Sequence, residues 1–147
     1  MKKIFLIDDD DDDRLLFREA MQKIAPDVFC ITMGSCKKAL NKLYTEHSPP
    51  PDLIFLDINM PMFNGWECLA VLKTEEAFKK IPVIMYSTSS QPNDIEKAVC
   101  SGALCYFTKP DDFAELKRCL KIITTHLQDN TLHMLTETLN CFQGRPE

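Results

Sequence analysis

The chain of 147 residues has no run of 18 apolar residues, no lysine–arginine cluster, no Cys-x-x-Cys pair and only four glycines. Each absence excludes something. Without a long apolar run there is no membrane-spanning helix. Without a basic stripe, and with a net charge of −5, phosphate backbones are poor partners, so no nucleic-acid binding is expected. Four glycines and no phosphate-cradling loop argue against a cofactor protein. The start, Met1-Lys2-Lys3, leads into four apolar residues and then six aspartates, which no signal peptide tolerates. A cytoplasmic location is the expectation. The seven cysteines (Cys30, Cys36, Cys68, Cys100, Cys105, Cys119, Cys141) form an odd, scattered set, and with His47, His126 and His133 they make no zinc spacing. They read as reduced thiols filling core positions.

What is present is ordinary in bulk and unusual in one place. The length suits a single domain, and 45% hydrophobic with 27% charged residues is the balance of a soluble globule. Asp8 to Asp13 form an unbroken acidic block that carries more than the whole net charge. The remainder of the chain is close to neutral.

There is no internal repeat. Short apolar runs read as buried strands at Ile4–Ile7, Val28–Met33, Leu53–Leu56, Val83–Tyr86 and Leu104–Phe107. Between them lie helical stripes. The first is Leu16, Ala20 and Ile24. The second, after a cap at Ser35, is Ala39, Leu40, Leu43 and Tyr44. The third is Trp66, Leu69, Ala70, Leu72 and Lys73, and the fourth Ile95, Ala98 and Val99. The fifth, Phe113, Leu116, Leu120, Ile123 and Leu127, is entered through Asp111 and Asp112. Strand then helix, five times over, implies a parallel α/β sheet with helices on both faces. Ser48-Pro49-Pro50-Pro51 is a stiff, exposed connection. After Gln128 the pattern breaks. Leu132, Leu135 and Leu139 suggest a short accessory helix or an extended last helix, and Gly144 to Glu147 a fraying end.

In such a sheet, functional groups gather at the carboxyl ends of the strands. After the first strand come Asp8 and Asp9, and after the third Asp57. After the fourth come Ser87 and Thr88, and after the fifth Thr108, Lys109 and Pro110. Only the second strand ends plainly, in Met33-Gly34-Ser35. Three carboxylates at one edge repel one another, and a hard cation such as Mg²⁺ resolves the conflict. Lys109 adds a positive charge that bridges to Asp57 or to a bound oxyanion, and Ser87 a hydroxyl. That set suits phosphoryl chemistry with a carboxylate as nucleophile. Asp10 to Asp13 read as helix-initiating acids at the positive end of the dipole, with Asp10 or Asp12 as lesser candidates to attract the cation or a partner.

At this point the sequence resembles the receiver domains of two-component response regulators, including stand-alone, chemotaxis-regulator-like members. The matching stretches are Ile4-Phe5-Leu6-Ile7-Asp8-Asp9, then Leu53-Ile54-Phe55-Leu56-Asp57-Ile58-Asn59-Met60-Pro61-Met62-Phe63-Asn64-Gly65, then Ile81-Pro82-Val83-Ile84-Met85-Tyr86-Ser87, and Tyr106-Phe107-Thr108-Lys109-Pro110. The resemblance covers about residues 3 to 127 and implies the doubly wound, five-stranded, flavodoxin-like (βα)5 receiver fold. It implies Asp57 as phosphoacceptor from a histidine kinase or phosphotransfer protein, without enzymatic turnover of other substrates. It implies Mg²⁺ on Asp9 directly, on Asp8 largely through water, on Asp57 and on the Asn59 backbone carbonyl. Lys109 is expected to pair with phosphoryl oxygens, Ser87 to swing onto them, and Tyr106 to follow as a switch aromatic. Pro110 is expected after a cis peptide bond, and Gly65 in a tight turn. A downstream protein target is expected to read the face formed by helix four, strand five and helix five.

Some features depart from the family pattern. Thr88 stands where a small residue is usual, Ser89 and Ser90 follow, and Thr108 is a polar variant. The prolines and the tail resemble receivers paired with bacterial phytochrome-type kinases. Residues 1–127 are expected to form the receiver and 128–147 a C-terminal extension with no separate output domain. A homodimer through the same face and the tail, with Leu132, Leu135, Leu139 and Phe142, is a further expectation. Two competing readings remain: a degenerate receiver that only binds protein, and an aspartyl-nucleophile phosphohydrolase. Against the latter, Asn59 cannot do acid–base work two residues after Asp57.

Overall fold

The computed structural model describes residues 1–89 and 91–135. Strand and helix alternate throughout: β1 (Lys3–Ile7), α1 (Asp11–Ile24), β2 (Phe29–Met33), α2 (Cys36–Thr45), β3 (Leu53–Leu56), α3 (Gly65–Thr74), β4 (Val83–Ser87), α4 (Pro92–Cys100), β5 (Cys105–Thr108) and α5 (Phe113–Gln128). The strands form one parallel sheet in the order β2-β1-β3-β4-β5. The order reverses between β1 and β3, so their carboxyl ends flank the crevice where ligands bind in such sheets. Register brings the two acidic segments together there: Ile7 lies beside Leu56, and the Asp57 N–H donates to the Ile7 carbonyl at 2.9 Å.

The strands are buried on both faces, so side chains alternate between two cores. Ile4, Leu6, Phe55, Tyr86 and Phe107 face α1 and α5, where they meet Phe17, Met21, Leu120 and Ile123. Phe5, Ile7, Ile54, Leu56, Met85 and Tyr106 face the opposite side, where Ala39, Leu69, Leu72 and Ala98 pack. The helix starts follow from their caps. Asp10, Ser35, Asn64 and Asp112 each accept a backbone N–H three residues on, which satisfies one orphan donor per helix. Asn64 and Glu67 complete a reciprocal capping box.

The structure corrects several expectations. On α1 the buried positions are Phe17, Ala20 and Met21, while Leu16 is exposed. Tyr44 of α2 and Val99 of α4 are exposed, as is Ala70 of α3. Cys105 and Cys119 are core residues as expected, but Cys36 and Cys68 are joined in a disulfide and Cys100 is exposed. The pair is 32 residues apart in sequence; the fold sets α2 beside α3 and brings their Cα atoms to 6.0 Å, inside the span a disulfide bridges. No spacing rule shows such a contact. The peptide bond before Pro110 is trans, like the others among the described residues. Pro51 is buried while Pro49 and Pro50 are exposed, and Lys3 Nζ pins the strap by donating to the Pro49 carbonyl at 2.7 Å. Beyond α5 a short 3-10 turn (Leu132–Met134) folds back and places Leu135 in the α1–α5 core. Ser90, Leu139, Cys141, Phe142 and the stretch 144–147 lie outside the described residues. No described helix is long and apolar enough to cross a membrane.

Candidate functional site

The carboxyl ends of β1 and β3 supply the acids. Asp8 is fully buried; its Oδ1 accepts from the Asp10 N–H at 3.0 Å, and its carbonyl accepts from Arg14 Nη1 at 2.7 Å. Asp9 is exposed and Asp57 is buried. One carboxylate oxygen from each of the three lies within 4.8 Å of the others. The loop after Asp57 is held tight by Gly65, whose N–H donates to the Ile58 carbonyl at 2.8 Å. A Cβ on Gly65 would sit 2.2 Å from the Asp57 carbonyl oxygen, so this position needs glycine for close approach, not for a special turn. Met62, in the same loop, is fully exposed and takes a positive φ of 69°.

The carboxyl ends of β4 and β5 supply the rest. Ser87 is buried, and its carbonyl accepts the Lys109 N–H at 2.8 Å. Ser87 Oγ accepts from the Ser89 N–H at 3.4 Å, while Tyr106 Oη donates to the Ser89 carbonyl at 2.6 Å. Ser89 Oγ in turn donates to Asp94 of α4 at 2.7 Å. Ser89 therefore links the strand-end hydroxyl, the buried aromatic and helix α4. Tyr106 is itself fully buried.

Lys109 reaches back across the sheet. Its Nζ lies 2.8 Å from Asp8 Oδ2, 2.7 Å from Asp13 Oδ2 and 3.8 Å from Asp57 Oδ1, over the Tyr86 ring at 5.3 Å. The expected bridge to Asp57 is thus the longest of the three ion pairs. Asp13 was not among the expected site residues. Its position four before buried Phe17 puts it on the core-facing side of α1, and that spacing is the signal that marks it. Asp10 caps the helix instead of approaching the acids, and Asp12 is exposed. Thr88 is exposed at the rim, and Thr108 Oγ1 is buried without a hydrogen-bond partner among the described residues.

The charges are in conflict. Burial pushes the Asp57 carboxyl up to about 7; Lys109 works against this, Asp8 and Asp9 reinforce it, and the Asn59 N–H relieves part of it. Burial likewise raises Asp8, against the pull of Lys109. For Lys109 burial alone favours the neutral amine, but Asp13 and Asp8 more than offset it and the net shift is upward. A divalent cation fits this set. The donors are all hard oxygens, and Asp8 Oδ2, buried, meets only the Lys109 ammonium among the described residues.

A family profile for the response regulator receiver domain matches residues 4–121. The chain is 34% identical to Protein PilG of Pseudomonas aeruginosa over 119 residues, covering 81% of this chain and 84% of that one. It is 32% identical to response regulator Rcp1 of Synechocystis sp., covering 78% of this chain and 81% of that one. Among solved structures, it superposes on the phosphorylated cyanobacterial phytochrome response regulator RcpA with a TM-score of 0.79 at 32% identity, covering 88% of this chain and 95% of that one. It superposes on the Mn²⁺-bound form of Rcp1 with a TM-score of 0.75 at 29% identity, covering 85% and 93%.

Proposed function

Because this chain belongs to the response regulator receiver domain family, we propose that it is a two-component signalling protein that takes a phosphoryl group onto Asp57. The observation that carries the reading is the convergence of Asp8, Asp9 and Asp57 within 4.8 Å beside the Lys109 ammonium, at the strand-order reversal. An Asp57 carboxylate oxygen attacks the phosphorus of a phosphohistidine in line. The P–N bond breaks, its electron pair stays on the imidazole nitrogen, and a P–O bond forms on Asp57. Asp9 directly, Asp8 through water, an Asp57 oxygen and the Asn59 carbonyl would hold Mg²⁺, which supplies charge neutralisation at the acids and the phosphoryl oxygens. Lys109 then pairs with the phosphoryl oxygens, and Ser87 Oγ donates to them.

Signalling follows from the Ser89 link. When Ser87 Oγ turns to the phosphoryl group it gives up the Ser89 N–H, and Ser89 is the residue that Tyr106 and Asp94 hold. The surface of α4, β5 and α5 is thereby altered for a downstream protein target. The donor is a histidine kinase or a phosphotransfer protein, and the setting is cytoplasmic. Residues 1–127 act as the receiver with 128–147 as its extension, and a second copy of the chain is a candidate partner for the α4–β5–α5 face.

The test is incubation with acetyl phosphate and Mg²⁺, followed by intact mass. The expected result is one added phosphoryl group on the wild type and none on Asp57→Asn. An unmodified wild type that also fails to bind beryllofluoride overturns the reading. Rapid turnover of small phosphate esters points to a hydrolase instead.

A further inference from the structure

Lys109 is expected to serve an anion on Asp57, yet its two short contacts are elsewhere. It lies 2.7 Å from Asp13 and 2.8 Å from Asp8, but 3.8 Å from Asp57. We propose that Asp13 is a positioning residue that holds Lys109 back from Asp57 in the unphosphorylated protein, and so sets how readily a phosphoryl-like anion is retained there. This rests on the reading of Asp57 as phosphoacceptor.

An ammonium has three donors and no acceptor. Two of them are engaged by carboxylates, in charge-assisted contacts roughly twice as strong as neutral ones. The third donor is free among the described residues, but the Nζ is seated on these two acids, and closing the 3.8 Å gap toward Asp57 draws it away from at least one of them. The two acids differ in what happens when Lys109 leaves. The Asp8 side chain is 0% exposed, so losing the ammonium strands a buried charge. The Asp13 side chain is 33% exposed, and water takes the place of the ammonium at small cost. The exchangeable contact is therefore Asp13. Its backbone is held in place by its own helix start, because the Asp13 N–H donates to the Asp10 side chain at 2.9 Å. The Lys109 backbone is fixed by its hydrogen bond to Ser87, so the movement belongs to the side chain. Asp13 also adds a further negative charge to the pocket an anion must enter. Both effects have the same sign: Asp13 opposes the anion.

The experiment is calorimetric titration of beryllofluoride into the Mg²⁺-loaded full chain, with thermal unfolding as a check on folding. Asp13→Asn is expected to bind on the order of tenfold more tightly than the wild type. Asp13→Glu, which keeps the carboxylate, is expected to stay within about twofold of the wild type. In a Lys109→Met background, Asp13→Asn is expected to lose most of its effect, because the residue acts through the lysine. An Asp13→Asn affinity equal to or weaker than that of a wild type that does bind overturns this inference alone. So does a full effect persisting without Lys109, which marks simple charge repulsion. A wild type that binds no beryllofluoride and takes no phosphoryl group overturns the inference together with the Asp57 reading.

Discussion

Asp57 is a carboxyl whose fold works against its charge. Its pKa stands at about 7 against an ordinary 3.8, with burial as the main cause. Without metal, the native state keeps a proton that the unfolded chain has already released between those values. Unfolding then releases protons, so stability falls as pH rises from about 4 to about 7 and levels off above it. Asp8 is shifted in the same direction and adds to the slope. Urea unfolding of metal-free protein across that range should show the midpoint declining, and Asp57→Asn should make the decline shallower; an unchanged slope in that variant contradicts the assignment. Gly65 carries a second residue-scale expectation. Its missing Cβ leaves room for the Asp57 carbonyl, which an added methyl would meet at 2.2 Å. Gly65→Ala should lower stability by about 1–3 kcal/mol as the loop shifts, and should weaken beryllofluoride binding beyond what the stability loss explains. Both measurements on one sample separate the two effects. At this scale the strand-end residues Asp8, Asp9, Asp57, Ser87 and Lys109 were legible in the sequence because each falls within two residues of the end of an apolar run. Asp13 was not, because the apolar stripe read on α1 ran through Leu16 and not through Phe17, the buried residue four on from Asp13.

Elements were legible where the chain repeats a period and obscure where contacts between elements decide. The five strands come within a residue or so of their expected bounds because β-rich apolar runs leave little choice. On α1 the adjacent Leu15, Leu16 and Phe17 permit more than one apolar stripe. The aromatic cluster settles the matter, since Phe17 packs edge-on to Phe55 at 5.0 Å and to Tyr86 at 5.6 Å, and turns both leucines outward. The Cys36–Cys68 bond is the clearest case of an inter-element contact. Only the placement of α2 against α3 creates it. Closing a loop of 32 residues should contribute roughly 3–4 kcal/mol by restricting the unfolded chain. Denaturant midpoints of the oxidised protein, with and without a reductant, check this. The shift should vanish in a Cys36→Ser, Cys68→Ser double variant, and a reductant effect that survives there would rule the pair out as its source. The turn after α5 makes a similar point. Leu135 is fully buried in the α1–α5 core, although its segment reads as an appendage in the sequence.

For the whole molecule, the acidic block and the sheet order are parts of one device. The net charge of −5 is concentrated in residues that the fold sends to two places. Asp8 and Asp9 go to the central crevice, and Asp10 to Asp13 begin α1, with Asp13 leaning back on Lys109. The crevice joins β1 and β3, which are inner strands of the sheet, and Lys109 ties it to the end of β5. Repulsion there strains the centre of the molecule and not a loose edge. A cation that relieves it should stabilise the entire fold cooperatively. At about 100 times its dissociation constant, Mg²⁺ should add about 2.7 kcal/mol, seen as a rise in Tm that continues with the logarithm of its concentration. Asp9→Asn and Asp57→Asn should each blunt that rise. Sodium chloride at matched ionic strength should reproduce little of it, because screening acts weakly on buried pairs. An equal rise with sodium would mean that general screening, not a metal held by these acids, relieves the crevice. A rise that survives Asp57→Asn undiminished would place the cation away from β3, and would separate the electrostatic strain at the sheet centre from the site proposed to accept the phosphoryl group.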